Sequence, residues 1–476
     1  MPKQALILAA GNGSRIQRFG GDIPKPLRKV GGLSLIKRSI LTAKQAGIRD
    51  FVIVVGYRGE DIVSALQNDD SLGVKLTFIK NDDYHKANGI SVLKARDAIQ
   101  GNFILMMADH LFEKKAIEKM LETPFRSNEV LLGIDYKLKE IFDEPDATKV
   151  KLDGEKVREI AKDLVDFDAY DTGLFYCRPK LFEVLENCYL KKGDVSLSEG
   201  MKALSLEDKF GVVDVSEYFW QDVDTPEALK HAEDILFERL RKPTDGWFSR
   251  NINRHISLFI SRFLCKTSLS AHQVTALVTL VGVLSAYFVS SGVYWQVALG
   301  GFLFQMSSIL DGCDGEMSKL KLSASKLGEW LDTASDNFTY FIFLLGVCTG
   351  LYRQTGSSFY VYESFFMLAG VLLTLGLMFL YLVRYTNSGS LVTIQKDIQK
   401  EEKQEARAFL KIFTKFGFVM KRDFFALFFM GLTFFNQLPL ILHLSALGAN
   451  VTWVFLVFFK KEIFKLDPAK VAVSSR

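Results

Sequence analysis

At 476 residues the chain exceeds one ordinary hydrophobic core, so two or more domains are expected. A formal net charge of +4 carries no footprint of a nucleic-acid binder, and no nucleic-acid partner is expected. Five cysteines without a CxxC pair argue against both a zinc ribbon and a disulfide framework.

The N-terminus, MPKQALILAAG, lacks a signal-peptide layout, because its short apolar run passes directly into a glycine motif. QALILAA, DFVIVVG, KLTFIK, FILMMAD and EVLLGID read as strands, and LIKRSILTAKQAG and ISVLKARDAI as helices. That alternation predicts an α/β, Rossmann-like domain with a mostly parallel sheet over residues 1–233.

The stretch LILAAGNGSRIQRFGGDIPKPL leaves a strand through Gly11, Gly13 and Ser14. Backbone N–H groups there are free to approach phosphates, and Arg15 and Lys25 supply positive charge for a triphosphate and its pyrophosphate leaving group. LAAGxGxR followed by PKPL resembles the nucleotidyltransferase family, which joins a nucleoside triphosphate to a sugar or alcohol phosphate. The likeness covers about residues 4–230. It implies that Asp109, at the end of FILMMADH, and Asp224, with Asp222, in FWQDVDTPEAL, hold Mg²⁺ against the α-phosphate. The alternative for Asp224 is a helix N-cap ahead of Thr225-Pro226, and both roles can hold if the two aspartates differ in task. Asn88 and Gly89 are expected near the base, and Asp171, Thr172 and Gly173 near the acceptor. Both segments also have the composition of ordinary turns.

Residues 234–270 read as a linker ending in an amphipathic helix. Ile252, Ile256, Phe259, Ile260 and Phe263 recur at helical spacing with Arg250, Arg254 and Arg262 beside them, the pattern of a helix lying in a membrane interface. From 271 to 476 the chain predicts an all-α, six-helix transmembrane domain, with spans near 272–291, 294–311, 333–352, 364–384, 423–436 and 438–459. Residues 395–422 read as a second interfacial helix. Lys319, Lys321 and Lys326, and about nine basic residues from Arg384 to Arg422, mark the cytoplasmic loops. A multi-pass protein of the cell inner membrane is expected, with the N-terminal domain and both sites on the cytoplasmic side and the bilayer as partner. A homodimer is also expected.

DGCDGEMSKLKLSASKLGEWLDTASD places Asp311 and Asp314 three residues apart and Asp332 and Asp336 four apart. Four carboxylates converging between apolar helices would repel unless cations neutralise them, and oxygen-only ligands suit Mg²⁺ or Mn²⁺. DxxDG followed by GxxxDxxxD resembles the signature of the CDP-alcohol phosphotransferases, which move a phosphoalcohol from a CDP-alcohol to an acceptor hydroxyl and release CMP. By that resemblance Asp311, Asp314 and Asp332 hold the metals, Asp336 completes the site and acts as base, and Gly315 and Gly328 let the nucleotide approach. Ser318-Lys319 stands where the family usually has Ala-Arg; Lys319 keeps the nucleotide-facing charge but loses the bidentate fork.

One domain would make a CDP-alcohol and the other would consume it, which argues for CTP. The fusion resembles the bifunctional enzymes that make CDP-inositol from CTP and inositol 1-phosphate and couple it to a second inositol 1-phosphate. Arg384, Lys421 and Arg422 would suit an anionic acceptor, and fit positive-inside topology equally well. The resemblance implies a phosphorylated di-inositol phosphate as product, a type of solute found in heat-loving organisms. At 24% charged residues, the chain lacks the Lys/Glu enrichment of hyperthermophile proteins. A lipid acceptor, and with it a role in phospholipid biosynthesis, therefore stays open.

Overall fold

The structure, a computed structural model, describes residues 4–13, 23–137, 142, 147–241, 249–386, 393–394 and 422–463. The chain forms two compact units, Met1–Glu238 and Arg239–Arg476.

A nine-stranded sheet runs through the first unit. Its strands are β1 (Gln4–Ala9), β2 (Asp50–Val55), β3 (Lys75–Lys80), β4 (Phe103–Met107), β5 (Val130–Asp135), β6 (Lys149–Asp153), β7 (Lys156–Ala161), β8 (Ala169–Cys177) and β9 (Phe210–Asp214), in spatial order 3-2-1-4-8-5-9-7-6. Helices α1 (Leu35–Gln45), α2 (Gly59–Gln67), α3 (Asn88–Lys94), α4 (Lys114–Glu122), α5 (Lys180–Lys192), α6 (Leu197–Leu206) and α7 (Pro226–Glu238) accompany it. Every residue of β1 is buried, as a strand paired on both edges and covered on both faces requires.

The four-strand half 3-2-1-4 is parallel, as expected of the Rossmann-like reading. The other half is not. Strand β8 runs antiparallel to β4 and β5, and β6 and β7 form a hairpin across Gly154 and Glu155, where Gly154 takes a φ of +61°. The sheet is therefore mixed. In the parallel half, the chain order places the switch point between β1 and β4, where open α/β sheets gather ligands beyond the strand ends.

Every described element of the second unit is helical: a short π turn at Ser249–Asn253, then α8 (Arg254–Leu264), α9 (Ala271–Ser290), α10 (Tyr294–Leu320), α11 (Lys326–Thr355), α12 (Ser358–Tyr385), α13 (Arg422–Phe434) and α14 (Leu438–Ile463). The last turns of α7, which the sequence reading assigned to a linker, belong with the first unit, and α8 belongs with the second. Among the described residues, two helices, Ala271–Ser290 and Ser358–Arg384, are long and apolar enough to cross a membrane. Helices α10 and α11 carry carboxylates, and Phe424–Phe434 and Leu438–Val454 are shorter apolar stretches.

Phe304, Phe343 and Phe429 stack at the centre of this unit, the first two with ring centroids 3.9 Å apart. Helices α9 and α11 approach closely because Gly346 and Gly350 lie against backbone carbonyls: a Cβ on Gly346 would sit 2.5 Å from the oxygen of Ala286. The outside remains apolar, with Tyr287, Trp295, Phe359, Tyr362 and Phe365 all more than half exposed.

Candidate active sites

In the first unit, β1 ends at Ala9 and the chain turns through Gly11 and Gly13. Gly13 adopts a φ of +58°, and a Cβ there would meet the Cβ of Lys25 at 2.8 Å, so the glycine permits both the turn and the approach of Lys25. Lys25 opens a 3₁₀ turn after Pro24 and is 7% exposed. Its Nζ donates to Asp109 Oδ2 at 2.6 Å and to Asp224. These three residues, with Gly11, Asn12 and Gly13, line a cavity of about 210 Å³.

A two-stranded ladder next to this cavity sets His110 opposite Asp222. His110 Nδ1 lies 2.8 Å from Asp109 Oδ1 and 3.6 Å from Asp222 Oδ1. Ligand atoms of Asp109, His110 and Asp222 all fall within 4.8 Å of one another. Burial alone would lower the His110 pKa, but the adjoining Asp222 and Asp109 carboxylates push it up to about 9. Burial likewise opposes the charge of Lys25 and of Asp109, yet their mutual attraction leaves the lysine raised and the aspartate well below its usual range. Burial and neighbouring Asp109 raise Asp222, against the pull of His110. Asp222 Oδ1 is buried without a hydrogen-bond donor, an acceptor suited to a cation.

Thr225 caps α7, accepting from Ala228 N at 3.1 Å, and Asp224 accepts from Lys25. Asp171 is pushed up to about 6 by burial, and its Oδ1 accepts from Gly173 N at 2.7 Å. A Cβ on Gly173 would lie 2.7 Å from the His110 ring, which puts the Asp171–Gly173 segment against the same cluster. Thr172 is turned inward, donating to the carbonyl of Gly133. Asn88 and Gly89 begin α3 and meet the turn before α6: Asn88 Oδ1 accepts from Leu197 N at 2.9 Å, and a Cβ on Gly89 would lie 2.5 Å from Val195 O. Ser14 and Arg15 lie outside the described residues.

In the second unit, Asp311 and Asp314 lie on α10 and Asp332 on α11, with carboxylate oxygens all within 4.8 Å of one another. Oxygen donors alone, gathered this closely from two helices, fit a hard divalent cation. Asp336 follows one turn after Asp332 and is not one of these three. Ser325 caps α11 by accepting from Gly328 N at 3.0 Å, which fixes the return from α10. Thr275 on α9 donates to Asp314 Oδ2 at 2.5 Å. A Cβ on Gly315 would meet nothing within 4 Å, so this face of α10 is open; one on Gly328 would meet Ser325 Oγ at 3.2 Å. Lys319 lies in the last turn of α10. Of the segment 395–422, read as a second interfacial helix, residues 395–421, Lys421 among them, lie outside the described residues.

Sequence reasoning missed His110, Thr275 and Glu316. His110 directly follows Asp109 and Glu316 lies inside the aspartate motif, so adjacency was the only signal available. Glu316 is 2% exposed and accepts from Arg254 Nη1, Ser257 Oγ and Ser261 Oγ, each at 2.7 Å.

Residues 5–136 match the MobA-like NTP transferase domain family. A protein of Aquifex aeolicus named bifunctional IPC transferase and DIPP synthase is 35% identical over 72% of this chain and 76% of its own length. One of the same name from Thermococcus kodakarensis is 35% identical over 73% and 77%. A solved structure described as the inositol-1-phosphate CTP transferase from T. maritima aligns with a TM-score of 0.43 at 26% identity, over 49% of this chain and 94% of that one. The protein is a transferase, and the chain belongs to the family of bifunctional IPC transferases and DIPP synthases.

Proposed function

We propose that the first unit makes CDP-inositol from CTP and inositol 1-phosphate. The second then transfers phosphoinositol from CDP-inositol to a second inositol 1-phosphate. The observation that carries this reading is the presence, in a chain of this family, of two separate carboxylate clusters, one in each unit.

In the first reaction a phosphate oxygen of inositol 1-phosphate attacks the α-phosphorus of CTP. The bond to the β-phosphate breaks and pyrophosphate leaves. Such chemistry is mostly positioning and charge neutralisation. Lys25, with Arg15, steadies the triphosphate and the leaving group, over the glycine turn of Gly11, Gly13 and Ser14. Asp109, Asp222 and Asp224 would hold Mg²⁺, which supplies neutralisation of phosphate charge when bound. The Asp171–Gly173 segment faces the inositol.

In the second reaction a hydroxyl of the acceptor attacks the inositol-bearing phosphorus of CDP-inositol. The proton passes to Asp336 and CMP leaves with the bridging oxygen. Asp311, Asp314 and Asp332 would hold Mg²⁺ or Mn²⁺ on the diphosphate, with Gly315 and Gly328 bordering the nucleotide and Lys319 facing its charge. The helical unit lies in the inner membrane with six spans, and the basic loops put both sites on the cytoplasmic side. The exposed aromatic surface of α9, α10 and α12 supports lipid contact, since soluble monomers rarely leave such surface uncovered.

The test is product analysis by ³¹P NMR on purified full-length protein with CTP, Mg²⁺ and inositol 1-phosphate, with and without membrane lipid. CDP-inositol followed by CMP and an aqueous phosphodiester supports the proposal. CDP-inositol that persists until lipid is added means a lipid acceptor. Absence of CDP-inositol sinks the inositol assignment.

A further inference from the structure

Helix α8 is built inside out. An ordinary surface helix turns its apolar stripe to the protein and its polar face to water. Here Ile256, Phe259 and Phe263 are 37%, 63% and 60% exposed, whereas Ser257 and Ser261 are buried. The buried serines and Arg254 lie on one helical face, at spacings of three and four residues. They converge on the single carboxylate of Glu316 on α10. Arg254 is itself only 13% exposed. Gly312, one turn before Glu316, gives α8 room, since a Cβ there would meet Arg254 Nη1 and Ser257 Oγ at 3.3 Å. Ile260 and Leu264 add apolar contact with Val274, Val278 and Cys313.

Glu316 stands two residues after Asp314. At 3.6 residues per turn it projects about 200° round the axis from Asp314 and about 140° from Asp311. One stretch of α10 thus offers Asp311 and Asp314 to Asp332 on one side and Glu316 to α8 on the other. Anchoring one side fixes the rotation of the other. Metal–ligand distances in a formed site lie within about 0.2 Å of their ideal values, so a small rotation of this helix would be felt at the aspartates.

We propose that Glu316, clamped by Arg254, Ser257 and Ser261, is a positioning residue of the phosphoinositol-transfer site. It holds helix α10 at the rotation that brings Asp311 and Asp314 to Asp332, and it ties that site to the outward-apolar helix α8. The inference rests on the transfer reading above for its activity readout, and on the aspartate cluster alone for its metal readout.

The test uses the full-length protein in detergent. Mn²⁺ is titrated by EPR, and the binding class lost in Asp332→Asn identifies the second-unit site. In Glu316→Gln, the affinity of that class should fall by about 10-fold or more, the range expected when support of a metal ligand is lost. CMP release from supplied CDP-inositol should then need correspondingly more Mn²⁺, while CDP-inositol formation from CTP stays at the wild-type rate. Ser257→Ala with Ser261→Ala should shift Mn²⁺ affinity in the same direction by a smaller factor, and that pair is decisive if Glu316→Gln does not fold. Unchanged Mn²⁺ affinity in folded variants of both kinds overturns the proposal. A wild-type protein that binds Mn²⁺ in this class but releases no CMP refutes the transfer reading, and the affinity shift still decides the clamp.

Discussion

The ammonium of Lys25 joins Asp109 and Asp224, which stand 84 and 199 residues away in the chain. Three segments therefore meet at one buried cation, which lies beside the glycine turn. Lys25→Met leaves the two carboxylates facing each other and removes the charge assigned to the triphosphate. We expect CDP-inositol formation to fall by about 10²–10³, the usual cost of losing one electrostatic stabiliser. CMP release from supplied CDP-inositol should be unaffected. Pyrophosphate release and CMP release, measured on the same preparation, separate the two.

Asp332 is the contribution of α11 to the second cluster. Asp332→Asn keeps the shape and deletes the charge. CMP release should drop by more than about 100-fold, because a ligand counts for at least as much as its supporting shell. CDP-inositol should accumulate instead of passing through. Equal CMP release from the variant would remove Asp332 from the site.

Gly89 separates two roles. Near a nucleotide base, an added methyl would raise the KM for CTP and leave stability alone. The observed packing against Val195 O and the Ser196 backbone predicts the other result. Gly89→Ala should destabilise the first unit by about 1–3 kcal/mol, the cost of overpacking. Thermal unfolding with and without saturating CTP reads both effects.

The turn that receives Asn88 carries a capping box, with Ser196 Oγ accepting from Glu199 N and Glu199 accepting from Ser196 N. Ser196→Ala should cost about 1 kcal/mol. The hydrogen bond from Lys192, then that from Ser196 N, lowers Glu199 from 4.5 to about 2. A carboxylate with a depressed folded pKa stabilises above its unfolded value and loses that contribution as pH falls through its folded one. The carboxylate's share of the stability gap between wild type and Glu199→Gln should therefore be full well above pH 4.5, shrink between pH 4.5 and about 2, and be lost below that. Denaturant midpoints across that range check it.

Local spacing carried much of this protein in plain view. A short apolar run such as QALILA that ends in a glycine turn reads as a buried strand, and Asp332 and Asp336 share a helix face because residues i and i+4 of a helix do. The glycine turn before PKPL and the DxxDG spacing belong to the same class, since each depends on neighbours within a few residues. The tertiary structure alone could set His110 opposite Asp222, because that pairing depends on a ladder between strands far apart in sequence. It alone gave Asp224 to Lys25 and the cap to Thr225. The antiparallel pairings of β8 were hidden for a similar reason: strand direction is decided by where the chain returns, not by its periodicity. The same holds for Glu316. Helical spacing already turns its carboxylate away from the metal-type aspartates, but only the packing of α8 on α10 sets it onto two serines and an arginine. Sequence pattern sets which side chains share a face; which face meets which is a property of the packed fold, where burying a charge is tolerable only with partners in place.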